Sequence, residues 1–374
     1  MRARALLAML PLLGCAPAGE QPGPGLRFGE RAATEAGGGF ARALEPREWR
    51  FPADHGAHFD YQTEWWYYTG NLDAASGRRF GFQLTFFRRG LSPGEPPPGP
   101  GLRTNQIYFA HLALTDVSRK THVAAERFAR GAADLAGATA APYRVWLGAW
   151  EAVAADAAAE SVRLRAASED AALDLELLAT KPPVGHGDGG LSPKGGVPGN
   201  ASYYLSLTRM RARGSVTSAG EELEVEGLAW FDHEWSTSAL GPGALGWDWF
   251  SLQLDDGREL MYFQIRRSDG SVEPVSGGTL VDRSGGTTRL ALDQVELDVE
   301  ATWTSPRSGA VYPAQWRLAA PEQGLELEVR PLLADQEMET SFVYWEGAVE
   351  VSGTSSGRGY VELTGYAGSM AGVF

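Results

Sequence analysis

The stretch Asp60-Tyr61-Gln62-Thr63-Glu64-Trp65-Trp66-Tyr67-Tyr68-Thr69-Gly70 sets four large aromatic side chains in a row, with polar residues before them and a glycine at the end. On a strand, successive side chains point to opposite faces. Trp65 and Tyr67 then face one way, and Trp66 and Tyr68 the other. Either both faces are covered, or one of them lines a cavity wide enough for a ligand.

The flanking sequence supports the strand. Phe80, Phe82, Leu84 and Phe86 alternate with Arg79, Gly81, Gln83 and Thr85, and a turn near Asp73, Ser76 and Gly77 joins the two runs as a hairpin. Residues 91–105 are too rich in proline for a strand, because proline lacks the ladder donor. The next strand is 107–114, which carries His111, and others follow near 143–150, 161–166, 171–178 and 203–213. After 214–218 the pattern restarts, with segments at 224–235, 247–254, 259–267, 272–283, 287–292, 295–303, 314–319, 324–330, 342–351 and 358–366. The alanine-rich pieces 131–141 and 152–159 read as short helices by propensity. Two successive sets of short strands predict an all-β chain with two barrels or sandwiches joined near 214–222. The 374 residues suffice for two domains, and 47 glycines, 12 tryptophans and the lack of a long amphipathic helix agree with that class. The net charge of −14 argues against a nucleic-acid partner, which would want a basic stripe.

The N-terminus reads as an export signal. Arg2 and Arg4 precede an apolar run from Ala5 to Leu13 that is too short to span a bilayer permanently. Leu12-Leu13-Gly14-Cys15 resembles a bacterial lipobox, and Cys15 is the only cysteine. A disulfide within one chain is therefore impossible, and lipidation gives an exported lone thiol a reason to exist. The alternative is an ordinary secretory signal that happens to contain a cysteine. Ala16 after the cysteine leans toward the outer membrane. The expected layout is a signal peptide at 1–14, a lipidated Cys15 with a flexible tether at 15–45, and domains at 46–215 and 216–374, on the periplasmic face of a bacterial envelope.

Several motifs could carry chemistry. Gly90-Leu91-Ser92-Pro93-Gly94 matches G-x-S-x-G formally, but Pro93 lacks the N–H that the oxyanion site of such an elbow requires. No Walker loop, Rossmann fingerprint or H-E-x-x-H motif occurs, and no cofactor is expected. In Trp230-Phe231-Asp232-His233-Glu234-Trp235, strand parity separates Trp230, Asp232 and Glu234 from Phe231, His233 and Trp235. That is either a solvated carboxylate face over a buried His–Trp face or a proton-transfer site built on a tunable histidine. No second histidine stands at ligand spacing from His233, so no metal site is expected. Trp247-Asp248-Trp249 and Tyr262-Phe263-Gln264 lie on two further strands, and Tyr262, Gln264 and Arg266 share a face that is exposed or lines a cavity. The loop 181–195, full of glycine and proline, fits a plug or lid over a barrel mouth.

Taken together, the runs at 60–72, 80–88, 107–116, 181–195, 201–214, 227–236, 246–266 and 312–338 resemble the lipocalin-like family of carotenoid 1,2-hydratase (hydroxyneurosporene synthase) and AttH-like proteins, over nearly all of 47–370. The resemblance implies two tandem lipocalin-like β-barrel domains, and it implies that the aromatic strand lines or closes a calyx for an apolar ligand. Hydratases of this family add water across the terminal C=C of a linear isoprenoid. Protonation of the alkene gives a tertiary cation, so the chemistry wants a positioned acid, a positioned water and aromatic faces. His233 and Trp235 match the His-x-Trp pattern of the hydratases. Their Tyr-x-Asp pattern reads here as Tyr262-Phe263-Gln264, so Gln264 stands where the acid would be. Two hypotheses follow. One is an enzyme that hydrates or hydrolyses a lipophilic substrate, with His233, Asp232, Asp248 and Tyr262 as acids and bases and with Trp65, Trp66, Tyr67, His111, Trp235, Trp249 and Gln264 lining the site. The other is a membrane-tethered carrier that holds an isoprenoid or lipid for an export transporter, its polar residues orienting a head group. In either case His233, Trp235, Tyr262 and Trp249 are expected to face one cavity near the domain junction.

The anchor can be tested directly. Cys15→Ser should release the protein from the membrane fraction, because only several acyl chains together hold a protein firmly to a bilayer. A variant that fractionates with membranes as fully as the parent would show that Cys15 is not the anchor.

Overall fold

The computed structural model describes residues 36–97, 101–237 and 240–370. The signal segment 1–14, Cys15 and the tether as far as residue 35 lie outside the described residues. Among the described residues, twenty-three strands form two sheets. The first contains β1 (Thr63–Ala74), β2 (Arg79–Gly90), β3 (Gln106–Asp116), β4 (Thr121–Arg130), β5 (Ala136–Ala140), β6 (Tyr143–Leu147), β7 (Trp150–Ala154), β8 (Ser161–Ala167), β9 (Ala171–Ala179), the short β10 (Val184–Gly185) and β11 (Leu191–Pro193), and the long β12 (Ala201–Ser218) and β13 (Glu221–Ser236). The second contains β14 (Ala244–Leu254), β15 (Glu259–Arg267), β16 (Gly277–Val281), β17 (Thr287–Ala291), β18 (Glu296–Thr304), β19 (Val311–Ala320), β20 (Leu325–Pro331), β21 (Glu337–Glu339), β22 (Val343–Gly353) and β23 (Gly357–Leu363).

Strand order shows that both sheets curl nearly shut. The first runs β4-β3-β2-β1-β13-β12-β9-β8-β7-β6-β5, so its two edges, β4 and β5, are consecutive in the chain. Only residues 131–135 join them, which caps the gap at about 20 Å. The second runs β17-β16-β15-β14-β23-β22-β20-β19-β18, and its edges β17 and β18 are joined through the single 3-10 turn Leu292–Gln294. These are the two lipocalin-like barrels that the resemblance implied.

Alternation answers the question raised by the aromatic run. Trp66, Tyr68 and Leu72 of β1 join Phe80, Phe82, Leu84 and Phe86 of β2 inside the first barrel, in a core shared with Leu112, Leu164, Leu175 and Phe231. Trp65 and Tyr67 point outward, yet they too are covered, because the second barrel packs there. β13 lies antiparallel to β1 with Trp65 opposite Glu234, Trp66 opposite His233 and Tyr67 opposite Asp232. Asp232 and Glu234 therefore share the outward face with Trp65 and Tyr67. Phe250, Leu252, Tyr262, Trp316 and Trp345 fill the second barrel.

Three expectations are corrected. The change of sheet falls between Ser236 and Ala244, not at 214–222. Ala219 and Gly220, both at positive φ, make the tight turn of the β12–β13 hairpin inside the first sheet. The alanine-rich pieces hold β5 and β7 rather than helices, since ladder pairing outweighs a weak propensity. The loop 181–195 does not plug a barrel mouth but straps the two sheets together. Lys181 Nζ reaches Glu259 Oε2 at 2.7 Å, and His186 bonds Ser206 of β12 at 2.6 Å and Thr279 of β16 at 2.9 Å.

The sheets touch at Gly81, where an added Cβ would stand 2.5 Å from the Cβ of Ala348. Gly81→Ala should therefore cost about 1–3 kcal/mol through overpacking. Gly196→Ala, which meets no atom within 4 Å, should stay within about 0.5 kcal/mol. Denaturant melts compare them, and equal midpoints would show that the contact between sheets yields freely.

Candidate functional site

A cleft opens between the outward faces of the barrels, with about 790 Å³ of space free of protein atoms when its mouth is counted. Trp65, Tyr67 and Phe87 form the wall on the first barrel, and Trp247, Trp249, Phe263 and Ile265 form the wall on the second. Tyr67 and Trp249 meet edge to face, with ring centroids 5.2 Å apart. Such apolar walls with a few convergent polar groups are the usual make-up of a small-molecule site.

The polar groups are four carboxyls and one ammonium. Asp232 accepts hydrogen bonds from Tyr204 Oη at 2.7 Å, from Trp230 Nε1 at 2.6 Å and from Ser206 Oγ. Burial raises its pKa to about 7 against these three donors. The single Ser206 hydroxyl proton goes to Asp232, so the His186 ring bonded to Ser206 carries its own proton on Nε2. Glu362 is likewise raised by burial to about 7, although Trp247 Nε1 donates to it at 2.9 Å. Burial, reinforced by Glu362, lifts Glu346 well above the usual carboxylate range, although Tyr67 and Tyr344 face it. Glu346 is fully buried, and neither of its oxygens makes a hydrogen bond of ordinary geometry. Glu234 pairs with Lys194 Nζ at 2.9 Å, and that ammonium lies 4.6 Å from the Phe263 ring centroid and 5.1 Å from that of Tyr204.

The structure scatters the catalytic set expected from sequence over three places. Asp232 reaches the cleft, along with Trp65, Tyr67 and Trp249. His233 and Trp235, of opposite parity, point into the first barrel. There His233 Nε2 and His58 Nδ1 both bond Glu64 Oε1, at 2.9 and 2.7 Å, and Arg88 Nε takes Glu64 Oε2 at 2.8 Å. Trp235 stacks on His58 at 3.6 Å, and Trp66 lies near His233 in the core. Burial alone would raise the Glu64 carboxyl, but Arg88 and the two histidines hold it well below its ordinary value. His58, His233 and Glu64 place three donor atoms within 4.8 Å of one another, with His58 arriving from 175 residues away. They hydrogen-bond directly, and Arg88 takes the other oxygen of the same carboxylate, while His233 Nδ1 is buried without a side-chain partner. Tyr262, Asp248 and Gln264 point into the second barrel, where Gln264 Nε2, Arg266 Nε and Tyr366 Oη converge on Asp248 at 2.9, 2.9 and 3.0 Å. His111 sits behind the cleft wall, between Tyr344 Oη at 2.8 Å and Glu126 Oε1 at 2.8 Å. The expected common cavity for His233, Trp235, Tyr262 and Trp249 is thus replaced by one that holds only Trp249 of the four.

A family model described as AttH-like matches residues 42–366. The chain belongs to the AttH-like family. Among solved structures, a Nitrosomonas europaea protein described as an AttH is 39% identical, with a TM-score of 0.78 over 87% of this chain and 100% of that one. Kievitone hydratase from Nectria haematococca is 15% identical, with a TM-score of 0.66 over 88% and 97% of the two chains. CghA is 14% identical, with a TM-score of 0.52 over 88% and 97%. At those two identities the likeness is one of fold. No curated protein matches the sequence.

In this AttH-like chain the residues that sequence reasoning missed are Glu346, Glu362, Tyr204 and Lys194. The signal for the first two was parity: Glu346 on β22 lies opposite Trp345, and Glu362 on β23 lies opposite Val361 and Leu363, all three of which fill the second barrel.

The raised pKa of Asp232 fixes the sign of a pH effect. Between about pH 4 and about pH 7 the folded chain holds a proton that the unfolded chain has lost, so stability falls as pH rises through that window. Between about pH 5 and about pH 8, Asp232→Asn should flatten the fall by up to about 3 kcal/mol. Urea melts at about pH 5 and about pH 8 measure it, and an unchanged slope would show that Asp232 does not titrate there.

Proposed function

We propose that this chain takes an apolar molecule, an isoprenoid or another lipid, into the cleft between its barrels and drives addition or loss of water by proton transfer, with Asp232 as the acid and base. The observation that carries this reading is a carboxyl poised at about 7 in an aromatic-walled cleft. Such a group gives and takes a proton with little penalty near neutrality. Protonation of an unactivated alkene leaves a cation, which ring faces stabilise until water captures it. Glu362, raised to the same value, is the second group able to activate that water. The name of one fold neighbour, kievitone hydratase, points the same way. His233 acts only from behind β13, as part of the Glu64 cluster. We further propose that the chain works at the periplasmic face of the envelope, tethered through Cys15.

One observation favours a carrier instead. Gln264, at the position where the hydratases have their acid, is bonded to Asp248 inside the second barrel. In that reading the cleft only holds a lipid for an export transporter.

Native mass spectrometry of protein purified from its own membranes identifies a copurified molecule, and incubation in ¹⁸O-labelled water shows whether oxygen is added to it. Asp232→Asn should retain the molecule and lose conversion by ~10²-fold or more. Conversion at the parent's rate would remove Asp232 from the chemistry, and a parent that binds without converting would leave the carrier.

A further inference from the structure

Proton transfer in the cleft uses Asp232 and Glu362, and it leaves Glu346 without a task. That carboxyl is fully buried, lines the cleft and makes no hydrogen bond of ordinary geometry. The Tyr67 hydroxyl beside it is also buried without a partner. Buried polar groups are almost always satisfied, and the exceptions call for a reason. Asp232 has three donors and Glu362 has Trp247, whereas Glu346 has only the Tyr67 and Tyr344 hydroxyls facing it, neither of them in hydrogen-bond geometry.

The protein already shows what those walls accept. The Lys194 ammonium, carried in by the strap, lies over the Phe263 and Tyr204 rings and against Glu234. A positive charge between ring faces and a carboxylate is the arrangement that recognises ammonium groups. The cleft that Glu346 lines offers the same components, with Trp65, Tyr67 and Phe87 on one wall and Trp249 on the other, and it contributes no second cation of its own among the lining residues.

From this we propose that Glu346 is the recognition residue for a positively charged head group, so that the cleft's ligand is a lipophile bearing an ammonium or quaternary amine. This rests on the reading of the cleft as the ligand site. The hydrocarbon part lies along the apolar walls, and the cation sits against Glu346. Burial, reinforced by Glu362, favours the protonated form of Glu346 when no cation faces it, so binding displaces that proton to solvent: the carboxylic acid O–H breaks, the carboxylate pairs with the ammonium, and buffer takes the proton. Affinity for the cation therefore rises with pH, whereas affinity for a neutral ligand of the same length does not.

Three probes of one chain length separate the outcomes: dodecyltrimethylammonium, dodecanol and dodecyl sulfate, each below its micellar concentration and titrated calorimetrically into the mature protein. At about pH 8 the ammonium should bind about tenfold or more tighter than the alcohol, and the sulfate weakest. The preference should shrink at about pH 6, and the binding heat should vary with the ionisation enthalpy of the buffer. Glu346→Gln, which keeps the volume and removes the charge, should bring ammonium and alcohol to near parity while the alcohol's affinity holds. Equal binding of ammonium and alcohol by the parent, or a preference that survives Glu346→Gln, overturns the head-group assignment and leaves the cleft as a site for neutral lipids. If none of the three binds, the ligand-site reading falls with it. Should Glu346→Gln fail to fold, proton release by the parent decides alone: heats independent of buffer overturn the proposal.

Discussion

The fold depends on two strands that are buried on both faces. β1 and β13 pair so that one face of each fills the first barrel and the other meets the second. In a lipocalin-like barrel an outward face normally meets water and takes polar residues. Here it carries Trp65, Tyr67 and Trp230, which only a second sheet can cover. The period of two makes the arrangement unforgiving, because a slip of one residue would exchange Trp66 for Tyr67 and His233 for Asp232 and send an acid into the barrel core.

The two faces handle charge in opposite ways. Inside the first barrel, Glu64 is surrounded by Arg88, His58 and His233, so a carboxylate survives at full burial. In the cleft, the carboxyls outnumber the one lysine, and burial pushes Asp232, Glu346 and Glu362 toward their neutral forms. A paired buried charge is held for structure, whereas an under-paired one is free to respond to what enters. His233, the residue that family resemblance nominated most directly, serves the first kind as a partner of Glu64, with burial lowering its own pKa, and Asp232 beside it belongs to the second.

Much of this was legible in the sequence. Alternation alone gave the strands, the split of Trp65 and Tyr67 from Trp66 and Tyr68, and the face shared by Trp230, Asp232 and Glu234. What parity cannot tell is whether an outward face meets water or another sheet, so the carboxylate face could be read as solvated. Glu346 and Glu362 reach the cleft from strands more than a hundred residues downstream of Asp232, and His58 reaches Glu64 from a loop; neither meeting leaves a mark in local spacing. The small residues around Gly214 and Gly220 looked like a linker because a tight hairpin turn uses the same residue types as one.

The contact at Gly81 and Ala348 also has mechanical meaning. Beside it, Asn71 Nδ2 donates to the Gly359 carbonyl at 2.9 Å, so the sheets are pinned at that end of the β1–β2 hairpin. Phe87 and Trp65, on the cleft wall, lie six residues further along each strand, about 20 Å away. At the cleft the sheets are tied again, by Trp249 Nε1 donating to Tyr204 Oη at 2.9 Å and by His111 against Tyr344 Oη at 2.8 Å. The girth of what the cleft admits is therefore set by ties between the sheets on either side of it as much as by any one wall side chain.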